Sequence, residues 1–275
     1  MGTTQRIVPG VTREPNWGAL SRSITAVAKT VEKEAETEEE VDKTPEEIKK
    51  EEKQYKTLIY RRDKHLKAAF KNLIRTGGGS KTVSSGKSKS LGRAGRKSAG
   101  IIAGFFSGVS QNGLQKELYK IGFGSLTGKS VQDIIDYLLI YTSDTNTGMD
   151  ETAASKASCE VFDEIAEQTG NDIEEFEKLV QESVDGNGLE NILCRFWGLY
   201  IFEHLSQRFA EKIDQQKGTE ISKETFNIIK DDIIGRIEVL NKDRHVKDID
   251  WNGEEGTKEI DGIFESIINI ICDED

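Results

Sequence analysis

The stretch VQDIIDYLLIYT (residues 131–142) places apolar side chains at Val131, Ile134, Ile135, Leu138 and Leu139. That is the i, i+3, i+4, i+7, i+8 spacing of one helical face, and it does not alternate as a strand would. The same spacing returns at Ile228, Ile229, Ile233, Ile237 and Leu240. Only three prolines occur in 275 residues, none beyond Pro45, so nothing later in the chain interrupts a helix. From these patterns we expect helices near 91–109, 113–121, 128–142, 149–168, 171–183, 187–216, 222–241 and 256–272, with Gly113, Gly170 and Gly218 as breaks. The fold class is all-α: a multi-helix globular body.

Upstream of this body the composition changes. Residues 1–23, with Pro9, Pro15 and three glycines, read as extended or turn-rich, with Trp17 as the only large anchor. Trp17 serves either to pin the tail to the body or to dock into a partner. The acidic run after Val31 reads as a solvated linker. KTPEEIKK is a helix start, with Thr44 at the N-cap, Pro45 at the first turn and Glu47 closing a capping box. That helix carries the stripe Leu58, Ile59, Leu66, Phe70 and Leu73 until TGGG stops it. The expected organisation is a flexible tail and acidic linker over 1–43 and a charged amphipathic helix over 44–76. A basic Gly/Ser-rich linker over 77–90 and a helical body over 91–275 follow.

Charge is divided unevenly along the chain. Residues 1–100 hold 22 Lys+Arg against 13 Asp+Glu, and residues 101–275 hold 16 against 36. A basic arm on an acidic body points to a partner more than to a fold. Lys81, Lys87, Lys89, Arg93, Arg96 and Lys97 fall in a segment without a single acid, and are candidate contacts to phosphates or to an acidic partner. A nucleic-acid-binding adaptor using residues 61–97 is therefore an alternative function. No aromatic residues interleave those lysines, so the stacking platforms of single-strand binders are missing.

Enzymatic signatures fail on inspection. GFGSLTGKS (122–130) lacks the first glycine of a phosphate-binding loop, since Phe123 stands there, and no apolar strand precedes it. Gly128 reads instead as a turn and Thr127 as the cap of the next helix. The three histidines, His65, His204 and His245, have no neighbours at metal-ligand spacing, and His204 reads as a partly buried structural residue. We expect no catalytic residue, no metal and no cofactor. Cys159, Cys194 and Cys272 are widely spaced and read as reduced thiols of a cytoplasmic protein. The most apolar run, IIAGFFSGV (101–109), is too short to span a membrane.

Three stretches together resemble the QatB family of the Qat anti-phage defence operons: MGTTQRIVPG at the start, GRAGRKSAGIIAGFFSGVSQNGLQKELYKIGFGSLTGKSVQDII, and ETAASKASCEVFDEIAEQ. In pattern and spacing the likeness covers most of residues 90–240. The resemblance implies a non-enzymatic antiviral protein acting beside an ATPase (QatA), a QueC-like enzyme (QatC) and a TatD-like nuclease (QatD). It further implies that the QueC-like enzyme joins a deazaguanine to an exposed N-terminal glycine. In this sequence that residue is Gly2, flanked by Thr3 and Thr4. The chemistry suits these residues. An α-amine titrates near ~8 and a lysine near ~10.4, so the terminus is the more available neutral nucleophile at pH 7. Glycine also enters narrow sites in backbone conformations closed to other residues.

Overall fold

The computed structural model describes residues 17–38, 45–142, 148–170, 172–185, 188–240, 249–251 and 253–272. Eleven helices make up the described residues, with no strand among them: α1 (Trp17–Glu38), α2 (Pro45–Thr76), α3 (Ser80–Ser84), α4 (Arg93–Asn112), α5 (Leu114–Lys120) and α6 (Val131–Thr142). α7 (Met149–Thr169), α8 (Ile173–Asp185), α9 (Gly188–Lys217), α10 (Thr219–Leu240) and α11 (Glu254–Cys272) complete them. The helices expected from residue 91 onward are all present, and Gly113 and Gly170 sit at the C-caps of α4 and α7. The stretch around His245, the flanking expectations at Thr44, and Gly2, Thr3 and Thr4 lie outside the described residues.

The first departure from expectation is α1. Residues 17–38, read as the end of a tail and an acidic linker, are one helix. Its apolar positions Leu20, Ile24, Val27, Ala28 and Val31 recur on one face, and all are buried. Serines and threonines of this helix satisfy their hydroxyls within it. Ser23 donates to the Ala19 carbonyl and Thr25 to the Ser21 carbonyl. The acidic end is likewise engaged: Lys217 binds Glu32 at 2.6 Å, and Arg62 binds Glu34. Tertiary packing has overridden the local turn signals.

A second departure concerns the basic Gly/Ser-rich linker. It joins α2 to α4, but it folds as it does so. Val83 of α3 and the following Leu91 are fully buried, and the Lys87 and Ser88 amides both donate to the Thr82 carbonyl. The two apolar residues hold down a segment whose composition alone reads as a solvated chain.

α4 and α9 form the middle of the molecule. α4 packs against α5, α6, α7, α8, α9 and α11, and α9 against α1, α4, α7, α8, α10 and α11. Aromatic side chains fill the space between them. Trp197 of α9 stacks on Phe264 of α11 with ring centroids 3.7 Å apart, while Trp197 and Tyr200 meet edge to face. α1 and the C-terminal half of α2 join the same core through Leu66, Phe70 and Leu73. The helix of residues 45–76 is thus part of the body, although its N-terminal half leaves Tyr55, Ile59 and Tyr60 exposed.

Candidate functional site

α4 begins without a capping side chain of its own. Its N-cap is Gly92, with φ 105° and ψ −26°, and a Cβ there would lie 2.2 Å from the Val83 carbonyl oxygen. Only glycine fits that approach and that conformation. The missing cap comes from α7. Asp150 accepts the Ala94 amide at 2.8 Å and the Gly92 amide at 3.2 Å, placing a carboxylate at the positive end of the helix. The Tyr200 hydroxyl donates to the same carboxylate and accepts from the Gly92 amide at 2.5 Å, while His204 Nε2 sits 3.1 Å from Asp150 Oδ1.

The electrostatics follow from burial and these bonds. Burial opposes ionisation of Asp150, but the His204 contact, the Ala94 amide and the Tyr200 hydroxyl outweigh it and hold the carboxyl at about 2. Burial lowers His204 below the ordinary imidazole value, and its Nδ1 has no hydrogen-bond partner among the described residues. A proton there would be a buried donor with nothing to bind, so the ring stays neutral at pH 7 and donates Nε2–H to Asp150. Tyr200 is pushed well above its usual range, first by burial and then by the Asp150 charge. With Tyr200 and His204 both at 0% exposure, the triad has no access to a substrate. It is a latch that fixes the start of α4. His204, expected to be partly buried and structural, is fully buried and structural.

The outward face of α4 is different. A groove of about 610 Å³ runs along it, bordered by α5, the end of α6 and the first turns of α11. Arg93, Arg96 and Lys97 line one end, and Lys120 of α5 lines it as well. Arg96 is clamped by Asp261 through Nε at 2.5 Å and Nη2 at 3.0 Å. Arg93, 65% exposed, makes a longer contact of 3.4 Å to Glu151, and Lys120 reaches the buried Glu117 at 3.2 Å. Tyr141, Phe105 and Ile260 supply apolar lining.

The structure therefore sorts the six cations singled out from sequence. Arg93, Arg96 and Lys97 converge on the groove, whereas Lys81, Lys87 and Lys89 are exposed on α3 and the turn after it and do not line it. On α2, Arg62 is committed to Glu34 and Lys67 to Asp63, which thins the cationic surface of residues 61–97. Trp17 opens α1. GFGSLTGKS forms turns with no strand before them, and Ser130, not Thr127, caps α6. The Ser130 amide donates to Asp133 at 2.8 Å, and the Asp133 amide returns a bond to the Ser130 hydroxyl at 3.1 Å. Sequence reasoning missed Asp150, Lys120 and Tyr141. The only local signal for Asp150 was a carboxylate in the first turn of a helix, which ordinarily serves its own helix.

Among the described residues no group of three or more His, Cys, Asp or Glu side chains could hold a metal ion, and no helix is long and apolar enough to cross a membrane. Comparison with known proteins gives one result: the family model for QatB, the Qat anti-phage system associated protein, matches residues 78–271, more than two thirds of the chain. No curated protein and no solved structure matches.

Proposed function

The chain belongs to the QatB family of the Qat anti-phage system, and from that premise we propose that it serves defence as a non-enzymatic scaffold whose N-terminal glycine is the modified group. In this reading Met1 is removed and the α-amine of Gly2 attacks an activated deazaguanine acyl group held by a QueC-like partner. The N–C bond forms as the activating group leaves, and the amine proton passes to a base of that partner. Thr3 and Thr4 flank the amine as small polar recognition positions. An ATPase and a TatD-like nuclease of the same system are the further partners.

Family membership is the observation that carries this reading. The sealed state of the Asp150–Tyr200–His204 latch supports the non-enzymatic part, because the most strongly perturbed titratable groups serve α4. Cys159, Cys194 and Cys272 form no disulfide, which fits the cytoplasm as the place of action.

Intact-protein mass spectrometry of the chain expressed with and without the QueC-like enzyme tests the proposal. The expected result is a mass increment on Gly2 only when the enzyme is present, lost on Gly2→Pro with circular dichroism unchanged. A Gly2→Pro variant that retains full protection against phage would overturn it.

A further inference from the structure

Packing explains Gly95 and Gly108 of α4, but not Gly100. A Cβ at Gly95 would stand 2.6 Å from the Trp197 ring and 2.9 Å from the Tyr200 ring. At Gly108 it would stand 2.3 Å from the Glu117 carboxyl carbon. At Gly100 a Cβ would meet nothing within 4 Å, although glycine within a helix is ~1 kcal/mol less favourable than alanine. The space a side chain would occupy there is the groove itself, which Gly100 lines. Gly104 lines the same space, so α4 forgoes propensity at two positions along the groove.

Three cations gather at one end of the groove, while the far end holds Phe105 beside the Glu117–Lys120 ion pair. Arg93, Arg96 and Lys97 stand within about one helical turn at one end. Arg96 is held in place twice over: Asp261 takes its Nε and Nη2, and Gly86 leaves room where a Cβ would lie 3.0 Å from Arg96 Cδ. Its Nη1 is left for another acceptor, and most donors of Arg93 are left as well. Phe105 lines the other end, about 18 Å along the helix from Arg93. Tyr141, 43% exposed, contributes an aromatic ring from α6.

We propose that this groove binds a nucleoside polyphosphate, its phosphates on Arg93, Arg96 and Lys97 and its base towards Phe105 and Tyr141. The volume of about 610 Å³ is that of a small-molecule site. A polyphosphate concentrates several charges within the span of one helical turn, which matches three cations so placed. An acidic peptide spreads its carboxylates at residue spacing and needs a longer surface. Arginine forks suit phosphate oxygens, and an exposed ring suits a stacked base. The inference is independent of the role assigned to Gly2.

Isothermal titration of the full chain with ATP, GTP and inorganic tripolyphosphate tests it, alongside Gly100→Leu and the double variant Arg93→Ala/Lys97→Ala. The expected result is a Kd below about 1 mM for at least one nucleotide, with tripolyphosphate at least about tenfold weaker. Gly100→Leu should weaken the nucleotide at least about tenfold while leaving the melting temperature unchanged or higher. If that variant folds poorly, the double variant, made at two exposed positions, carries the test with the same loss. Absence of nucleotide binding overturns the proposal, as does tripolyphosphate binding equal to the nucleotide. So does nucleotide affinity unaffected by filling the groove. A single-stranded oligonucleotide that binds equally well to the Gly100→Leu chain, where free nucleotides do not bind at all, assigns the cations to nucleic acid and likewise overturns it.

Discussion

The two sides of α4 carry polar groups under opposite conditions. At its first turn, facing inward, one carboxylate, one hydroxyl and one imidazole are shut away from water and bonded to one another and to two backbone amides. On its outward face, Arg93, Arg96 and Lys97 stand beside an open groove, and the two arginines keep hydrogen-bonding capacity left over. Strongly shifted titration alone would have marked the inner cluster as the site. Access reverses that ranking: a group that no ligand can reach acts on the fold, and one that water can reach is available to a partner. The glycines divide in the same way, with Gly95 required by the rings beneath it and Gly100 by nothing among the described residues.

The sharpest way to break the comparison is Asp150→Ala. It strips the acceptor from Tyr200, His204 and the Ala94 amide, leaving the Gly92 amide only the Tyr200 hydroxyl, and we expect a loss of about 3–5 kcal/mol, read by urea denaturation. A loss below about 1 kcal/mol would mean the inner cluster is no latch. Next in size is Gly95→Ala, where the added methyl meets two buried rings; overpacking of this kind costs about 1–3 kcal/mol, and thermal melting measures it.

Acid should find the inner side first. His204 has its folded value depressed, so its contribution is complete above the ordinary imidazole range and declines as pH falls below about 6.5. Asp150 is also depressed, to about 2, so its share, about 2 kcal/mol, persists above about 4 and is lost between there and 2. Stability measured from pH 7 to pH 2 should fall in those two stages, and Asp150→Asn should remove the second. The smallest effect belongs to the outer face. Gly100→Ala is expected to raise stability by about 0.5–1 kcal/mol, and a decrease would show that α4 needs that glycine for packing after all.

Much of this architecture could be read from residue order. The stripes at 131–139 and 228–240 are generated by bonds four residues apart, so their helices are written locally, and Gly113 and Gly170 end helices where they were expected to. The basic residues Arg93, Arg96 and Lys97 were equally visible, because charge is a property of composition. What only the tertiary structure decided depends on residues far apart in the chain. Asp150 caps a helix that starts 57 residues earlier at Arg93, and Tyr200 and His204 reach it from a third helix, so no window of sequence contains the cap. α1 is a helix because α2, α9 and α10 receive its apolar face, despite a glycine, Gly18, that locally favours a turn. The groove too exists only once α5, α6 and α11 stand around α4: hydrogen bonds within a helix fix its own geometry, and packing alone settles which of its faces remains open.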